Sequence, residues 1–139
     1  MSYSFTFRVR YQETDRMGVV YHTNYINWFE WGRTELIRAC GYPYERIEEQ
    51  GLLLPVLEVG AQFKQAARYD ECVTVFTKVT ACTGVRLEFE YEIRRGEADP
   101  EGLLFATGFT KHMWVTKEWK PARLERHLPE LHRMLQERF

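Results

Sequence analysis

One segment of this chain carries a helical period, while most of the rest carries a strand period. Tyr25, Trp28, Phe29, Gly32, Leu36 and Ala39 recur at spacings of three and four, which puts apolar residues along one side of a helix. Asn24 is a suitable N-cap, with Thr23 competing for the role. Gly41 suits the position just past the C-terminus, and Pro43 lies beyond it. From Tyr25 to Cys40 the helix would be about 24 Å long at ~1.5 Å per residue. Ile26 and Trp31 add apolar surface off the main stripe, so the helix is expected to be enclosed. Gly32 weakens it by roughly 1 kcal/mol against Ala. The expected compensation is close approach of the helix to a sheet.

Five strand patterns surround this helix. Tyr3, Phe5, Phe7, Val9 and Tyr11 alternate with polar residues ahead of it. After it come Leu57 to Lys64, then Val73 to Ala81, then Val85 to Arg94. Thr83-Gly84 suggests a tight hairpin between the last two. The loop from Gly96 to Gly102 leads into a strand from Leu103 to Val115, and a short helix is expected to start at Pro129. Short connections imply antiparallel pairing. The expected class is α+β, with a five-stranded antiparallel sheet curling around one long helix and a short C-terminal helix. Leu52, Leu53, Leu54 and Pro55 fit either a pocket wall or a strand.

A chain of 139 residues that is 45% hydrophobic suits a single domain with a filled core, here residues 1–139. Lys and Arg number 19 and Asp and Glu 20, for a net charge of -1, which argues against nucleic acid as a partner. No apolar run approaches the roughly 18 residues of a membrane span, and the first residues lack the apolar core of a signal peptide. Cys40, Cys72 and Cys82 are odd in number and form no Cys-x-x-Cys, so they read as small apolar residues in a reducing cytoplasm. His22, His112, His127 and His132 form no His-Glu-x-x-His motif, and no metal is expected.

The stretch from Tyr11 to Tyr25 carries the chemistry. It places Asp15 at the end of a strand, Gly18 in a turn, and the helix start within ten residues. A carboxylate facing a helix N-terminus suits acyl transfer: the acid is base or nucleophile, and free N–H groups hold the developing oxyanion. A blander reading competes, because Asp15 and Gly18 also fit positions i and i+3 of a type I turn. Glu30 and Arg33 read as an i,i+3 ion pair, and Glu35 as a contact to a partner or to the site.

Thr14-Asp15, then Gly18-Val19-Val20-Tyr21-His22 and Asn24-Tyr25, run into Trp28-Phe29-Glu30 and Arg33-Thr34-Glu35. A second motif, Ala67-Arg68-Tyr69-Asp70-Glu71, precedes the strand at Val73. In these motifs the chain resembles the hotdog-fold 4-hydroxybenzoyl-CoA/YbgC-like thioesterases over nearly its whole length. Ala66 stands where many relatives carry proline. The resemblance implies an acyl-CoA thioesterase with Asp15 as catalytic carboxylate. It also implies a homo-oligomer, a dimer or tetramer, with sheets joined edge to edge and the site at a subunit interface.

Within that expectation, the backbone N–H of His22 or a neighbour polarises the thioester carbonyl. Gly18, Tyr21, Thr23 and Tyr25 are candidate substrate contacts, although Tyr25, Trp28 and Phe29 also read as core. Lys64, Arg68 and Arg86 are candidate partners for the phosphates of coenzyme A, which enters as part of the substrate and not as a cofactor. Two alternatives stand beside this: a thioesterase acting on acyl carrier protein, and a protein that binds acyl thioesters without cleaving them.

Overall fold

The computed structural model describes residues 2–139. The apolar alternation builds a five-stranded antiparallel sheet in the order β1-β4-β5-β6-β3. Its strands are β1 (Tyr3–Arg8), β3 (Val56–Phe63), β4 (Cys72–Thr83), β5 (Arg86–Arg95) and β6 (Leu104–Met113). A two-stranded ladder joins β2 (Leu52–Leu53) to β7 (Val115–Thr116). Four helices complete the α+β fold: α1 (Thr23–Ala39), α2 (Tyr44–Glu49), α3 (Leu124–His127) and α4 (Pro129–Glu137). None of them is long and apolar enough to cross a membrane among the described residues.

The helix with 17 residues, α1, packs on one face of the sheet, where Val73, Val75, Leu87, Phe89, Tyr91 and Ile93 are buried. Its Tyr25, Trp28, Phe29, Gly32, Leu36 and Ile37 are buried with them. Gly32 makes the close approach expected of it. A Cβ built there would stand 2.6 Å from Thr77 Oγ1 and 2.8 Å from Val75 Cγ1. Phe29 stacks on Tyr91 with ring centroids 4.6 Å apart. Gly41 holds φ +89° just past the helix, and its N–H and that of Tyr42 donate to Arg38 O and Ile37 O. That closes α1 in the paired-bond manner that a glycine permits.

Several expectations are corrected. The first strand ends at Arg8, and Tyr11 enters a 3-10 turn, Tyr11–Glu13, with its ring in solvent. Asn24 is not the N-cap, because its amide donates to Glu13 O at 2.9 Å and its carbonyl oxygen accepts from Asn27; α1 begins at Thr23, with His22 as cap. Ala39 is exposed, since the buried side of α1 runs through Leu36 and Ile37 to the cap residue Cys40 instead. The hairpin turn is Gly84-Val85 and not Thr83-Gly84: Thr83 pairs with Arg86, and Gly84 takes φ +57°. The last strand breaks at Trp114, whose N–H turns to Val85 O. Leu52 and Leu53 form a strand, not a pocket wall.

Arg33 is more than a surface ion-pair partner. Glu30 lies 3.9 Å away, but Arg33 itself is buried against the hydroxyls of Tyr44 and Tyr91. Glu35 pairs with Arg38 at 3.3 Å on the same helix. Burial raises the pKa of both phenols. Beside them, Thr110 Oγ1 bonds Tyr91 Oη at 2.5 Å and His112 Nε2 at 2.8 Å. This polar knot lies inside an otherwise apolar core and connects α1 to β5 and β6.

Candidate active site

Asp15 sits on a tight turn between the 3-10 segment and α1. Its N–H donates to Val19 O at 2.8 Å, and its own carbonyl accepts from Gly18 N–H at 3.0 Å. Gly18 takes φ +78°, a left-handed conformation that glycine adopts without steric cost. The Asp15 carboxylate uses one oxygen to cap this turn, with Oδ1 accepting from Met17 N–H at 2.8 Å. Oδ2 has no donor among the described residues. The turn and the catalytic readings are therefore compatible: one oxygen fixes the loop and the other is free for chemistry.

The turn opens on a cleft of about 310 Å³. Asp15, His22, Tyr25 and Lys64 line it, together with Met17, Val19, Val20, Phe63, Gln65 and Ala66. The carboxylate and the start of α1 thus meet in one concavity. The amides of His22 and Thr23 donate to no acceptor among the described residues, whereas Asn24 N–H and Tyr25 N–H turn back to Tyr21 O and His22 O. Free amides at a helix start favour a developing negative charge. The His22 ring is exposed and packs edge-on against Tyr21 and Phe63, at 4.8 and 5.7 Å between centroids.

The remaining candidates separate. Tyr25 is both core and cleft wall: it is buried, and its hydroxyl accepts from Ala67 N–H at 3.0 Å. Burial raises its pKa, against the lowering effect of that bond. Gly18 stands between two residues of the cleft wall but does not line it, and Tyr21 and Thr23 are exposed beside the helix start without lining it either. Lys64 lines the cleft, and Arg68 follows two residues after Ala66. Arg86 does not join them within this chain. It pairs with Met113, whereas the cleft residue Phe63 pairs with Ala106, seven residues away along β6, or about 23 Å at ~3.3 Å per residue. Its guanidinium faces Glu88 at 3.6 Å instead.

Sequence reasoning missed Glu13. It is buried two residues before Asp15 and accepts from Arg10 N–H at 2.8 Å and from Trp28 Nε1 at 2.7 Å. Burial alone would raise its pKa, but the bonds from Arg10 and Trp28 outweigh burial and hold the carboxyl below its usual value. Glu13 O also accepts from Tyr21 N–H and from the Asn24 amide. This one residue ties the turn bearing Asp15 to the first two turns of α1. The 3-10 segment gives no periodic signal by which its burial could have been read.

Comparison with known proteins agrees with this architecture. Residues 9–139 match the Thioesterase-like superfamily. The Bacillus subtilis protein YneP is 37% identical over 125 residues, which cover 89% of this chain and 88% of its own. The acyl-CoA thioesterase YbgC of Haemophilus influenzae is 36% identical over 94 residues, covering 67% of this chain and 69% of its own. The structure of a DHNA-CoA thioesterase from Staphylococcus aureus superposes with a TM-score of 0.88 at 34% identity, covering 98% of this chain and 89% of that one. On sequence and structure together, the chain belongs to the thioesterase-like superfamily and is similar to its YbgC-like, hotdog-fold members.

Proposed function

We propose that this chain is an acyl-CoA thioesterase that releases a short- to medium-chain or aromatic acid and free coenzyme A. The observation that carries the reading is the shared cleft: Asp15, with one unengaged carboxylate oxygen, lines the same concavity as the His22 start of α1. The substrate carbonyl rests on the free amide of His22, the helix-start residue that lines the cleft, which stabilises the oxyanion as attack proceeds. Two routes use the same acid. As general base, Asp15 takes a proton from water while the water oxygen bonds the carbonyl carbon. As nucleophile, Asp15 bonds that carbon itself, and water then opens the resulting anhydride. In both routes the C–S bond breaks and the sulfur leaves as the thiolate of coenzyme A, which takes up a proton. Lys64 and Arg68 supply positive charge near the cleft mouth.

The functional unit is a homo-oligomer. β3 is an edge strand, and its residues Val59 and Phe63 pair with the buried Thr110 and Ala106 and so face the side that α1 covers elsewhere, yet they are 43% and 48% exposed. An unpaired edge with apolar residues suits pairing with a second copy, edge to edge. Because Phe63 also lines the cleft, such a dimer would place the site at the subunit boundary. A hollow of about 620 Å³ on the opposite sheet face, near Phe76 and Phe109, provides a second contact that would make the dimer a tetramer. The sheet then curves around α1 as a hotdog wraps its filling, with bulges in β3, β4 and β6 easing the bend. Three free cysteines suit a reducing cytoplasm.

The test is thiol release from a panel of acyl-CoAs of varied chain length and aromatic character, run beside the same acyl groups on acyl carrier protein. The reading expects turnover of at least one acyl-CoA. Turnover confined to the carrier-protein substrates, or tight acyl-CoA binding without cleavage, would replace it.

A further inference from the structure

Two aromatic rings beside the cleft are exposed without a reason in the fold. Tyr11 is 76% and Tyr69 is 59% exposed. Their rings meet edge to face, with centroids 5.8 Å apart and planes at 82°, so together they make a right-angled corner. Backbone bonds, not burial, hold the corner in place. Tyr11 O accepts from Thr14 N–H at 3.1 Å and from Thr14 Oγ1 at 2.7 Å. On the other side, Asp70 N–H donates to Val9 O and Val9 N–H to Glu71 O, both at 3.0 Å. These bonds join the segment before Tyr11 to the segment after Tyr69. Asp70 holds φ +65° at this junction.

The corner is close to the proposed chemistry. Tyr69 is three residues from Ala66, a cleft wall, which is at most ~11 Å of extended chain. Tyr11 is four residues from Asp15, at most ~14 Å. The local charge is also suggestive. Arg8 and Arg10 face Asp70 and Glu13. Glu71 is engaged by Arg95 at 2.7 Å. Arg16 and Arg68, both exposed, have no carboxylate within ion-pair distance among the described residues. An exposed aromatic corner, with Arg68 next to Tyr69 in the chain and Arg16 next to Asp15, has the chemistry of a nucleotide seat. A flat base stacks on an aromatic face, and arginine pairs with phosphate.

We propose that Tyr11 and Tyr69 hold the adenine of coenzyme A, with Arg16 and Arg68 meeting its phosphates. The proposal rests on the acyl-CoA reading above and deepens it, since it assigns the nucleotide end of the substrate to these residues. It also replaces Arg86 in that role. One aromatic face takes the base, the other ring walls its edge, and the tethered thioester reaches into the cleft.

The experiment separates the nucleotide from the thioester. Adenosine 3′,5′-bisphosphate binding is measured by calorimetry for the wild type and for Tyr11→Ala, Tyr69→Ala and the two Phe variants. Turnover is measured on one acyl-CoA and on the same acyl group carried by pantetheine, which lacks the nucleotide. The Ala variants should bind the nucleotide at least about fivefold more weakly. They should raise KM for acyl-CoA by a similar factor at unchanged kcat and leave acyl-pantetheine kinetics alone. The Phe variants should behave as wild type. Unchanged nucleotide affinity, or equal losses on both substrates, would overturn the proposal. So would a change in oligomer size at unchanged affinity, which would assign the corner to a second copy. If the wild type binds the nucleotide in this way yet cleaves no thioester, the thioesterase reading fails while the seat stands. If it cleaves both substrates with equal KM, the seat fails while the thioesterase reading stands.

Discussion

Gly32 and Glu13 show how single residues set the geometry of this fold. Gly32 lets α1 approach β4 so closely that a methyl group would collide with Val75 and Thr77. Both neighbours are buried side chains of a central strand, so neither yields freely. Gly32→Ala gains helix propensity of roughly 1 kcal/mol but meets an overpacking cost of about 1–3 kcal/mol. The expected outcome is net destabilisation and a lower Tm by calorimetry; a raised Tm would show that the approach is slack. Glu13 works differently, through hydrogen bonds that tie the Asp15 turn to α1. Periodicity revealed Gly32, because a glycine in a strong helical stripe needs a reason. It could not reveal Glu13, whose burial depends on a 3-10 turn where no repeat exists.

At the scale of elements, the polar knot joining α1, β5 and β6 makes stability depend on pH. His112 is buried beside the Arg33 cation and Thr110, with contacts to the backbone of Leu54 and Pro55. Burial first, and the Arg33 charge second, push its pKa down to about 4, against about 6.5 for an unfolded histidine. The unfolded chain therefore binds the extra proton between these values, and stability falls as pH drops from about 6.5 to 4. The loss approaches roughly 3 kcal/mol by that linkage. Glu13 contributes in a lower window: its depressed pKa adds stability above 4.5 that is lost as pH falls through its folded value. Urea unfolding at a series of pH values should show the His112 slope, and His112→Gln should flatten it; an equal slope in the variant would refute the assignment. The elements themselves were mostly legible from alternation and the helical stripe. Leu52 and Leu53 stayed open between strand and pocket wall, and α2 gave no signal, because both elements are too short for a period to emerge. The polar knot was hidden for another reason: Arg33 and His112 look like surface residues until the fold buries them.

At the scale of the whole molecule, β3 is an edge strand that carries exposed apolar residues. The alternation through Val59, Ala61 and Phe63 does build a strand, but a single chain leaves Val59 and Phe63 exposed because β3 ends the sheet. Sequence alone gives the pairing potential of a strand and not its place in the sheet. Val59→Lys puts a charge on this exposed edge. It should lower the oligomer mass by light scattering and reduce turnover with it, while the chain stays folded by circular dichroism; an unchanged mass would place the subunit contact elsewhere. The candidate site was legible in the same partial way. Asp15, His22 and Lys64 do converge on one cleft, whereas Arg86 lies across the sheet and the tyrosine corner gave no signal in the one-dimensional pattern. All of this turns on the free carboxylate oxygen of Asp15, and Asp15→Asn tests it most directly. The amide keeps the shape and leaves an oxygen to accept from Met17 N–H, so the turn should hold and coenzyme A should bind as before. With a responsive acyl-CoA in single-turnover conditions, the account predicts a rate loss of about 10²-fold or more. A variant that folds, binds coenzyme A and hydrolyses at the wild-type rate would contradict it.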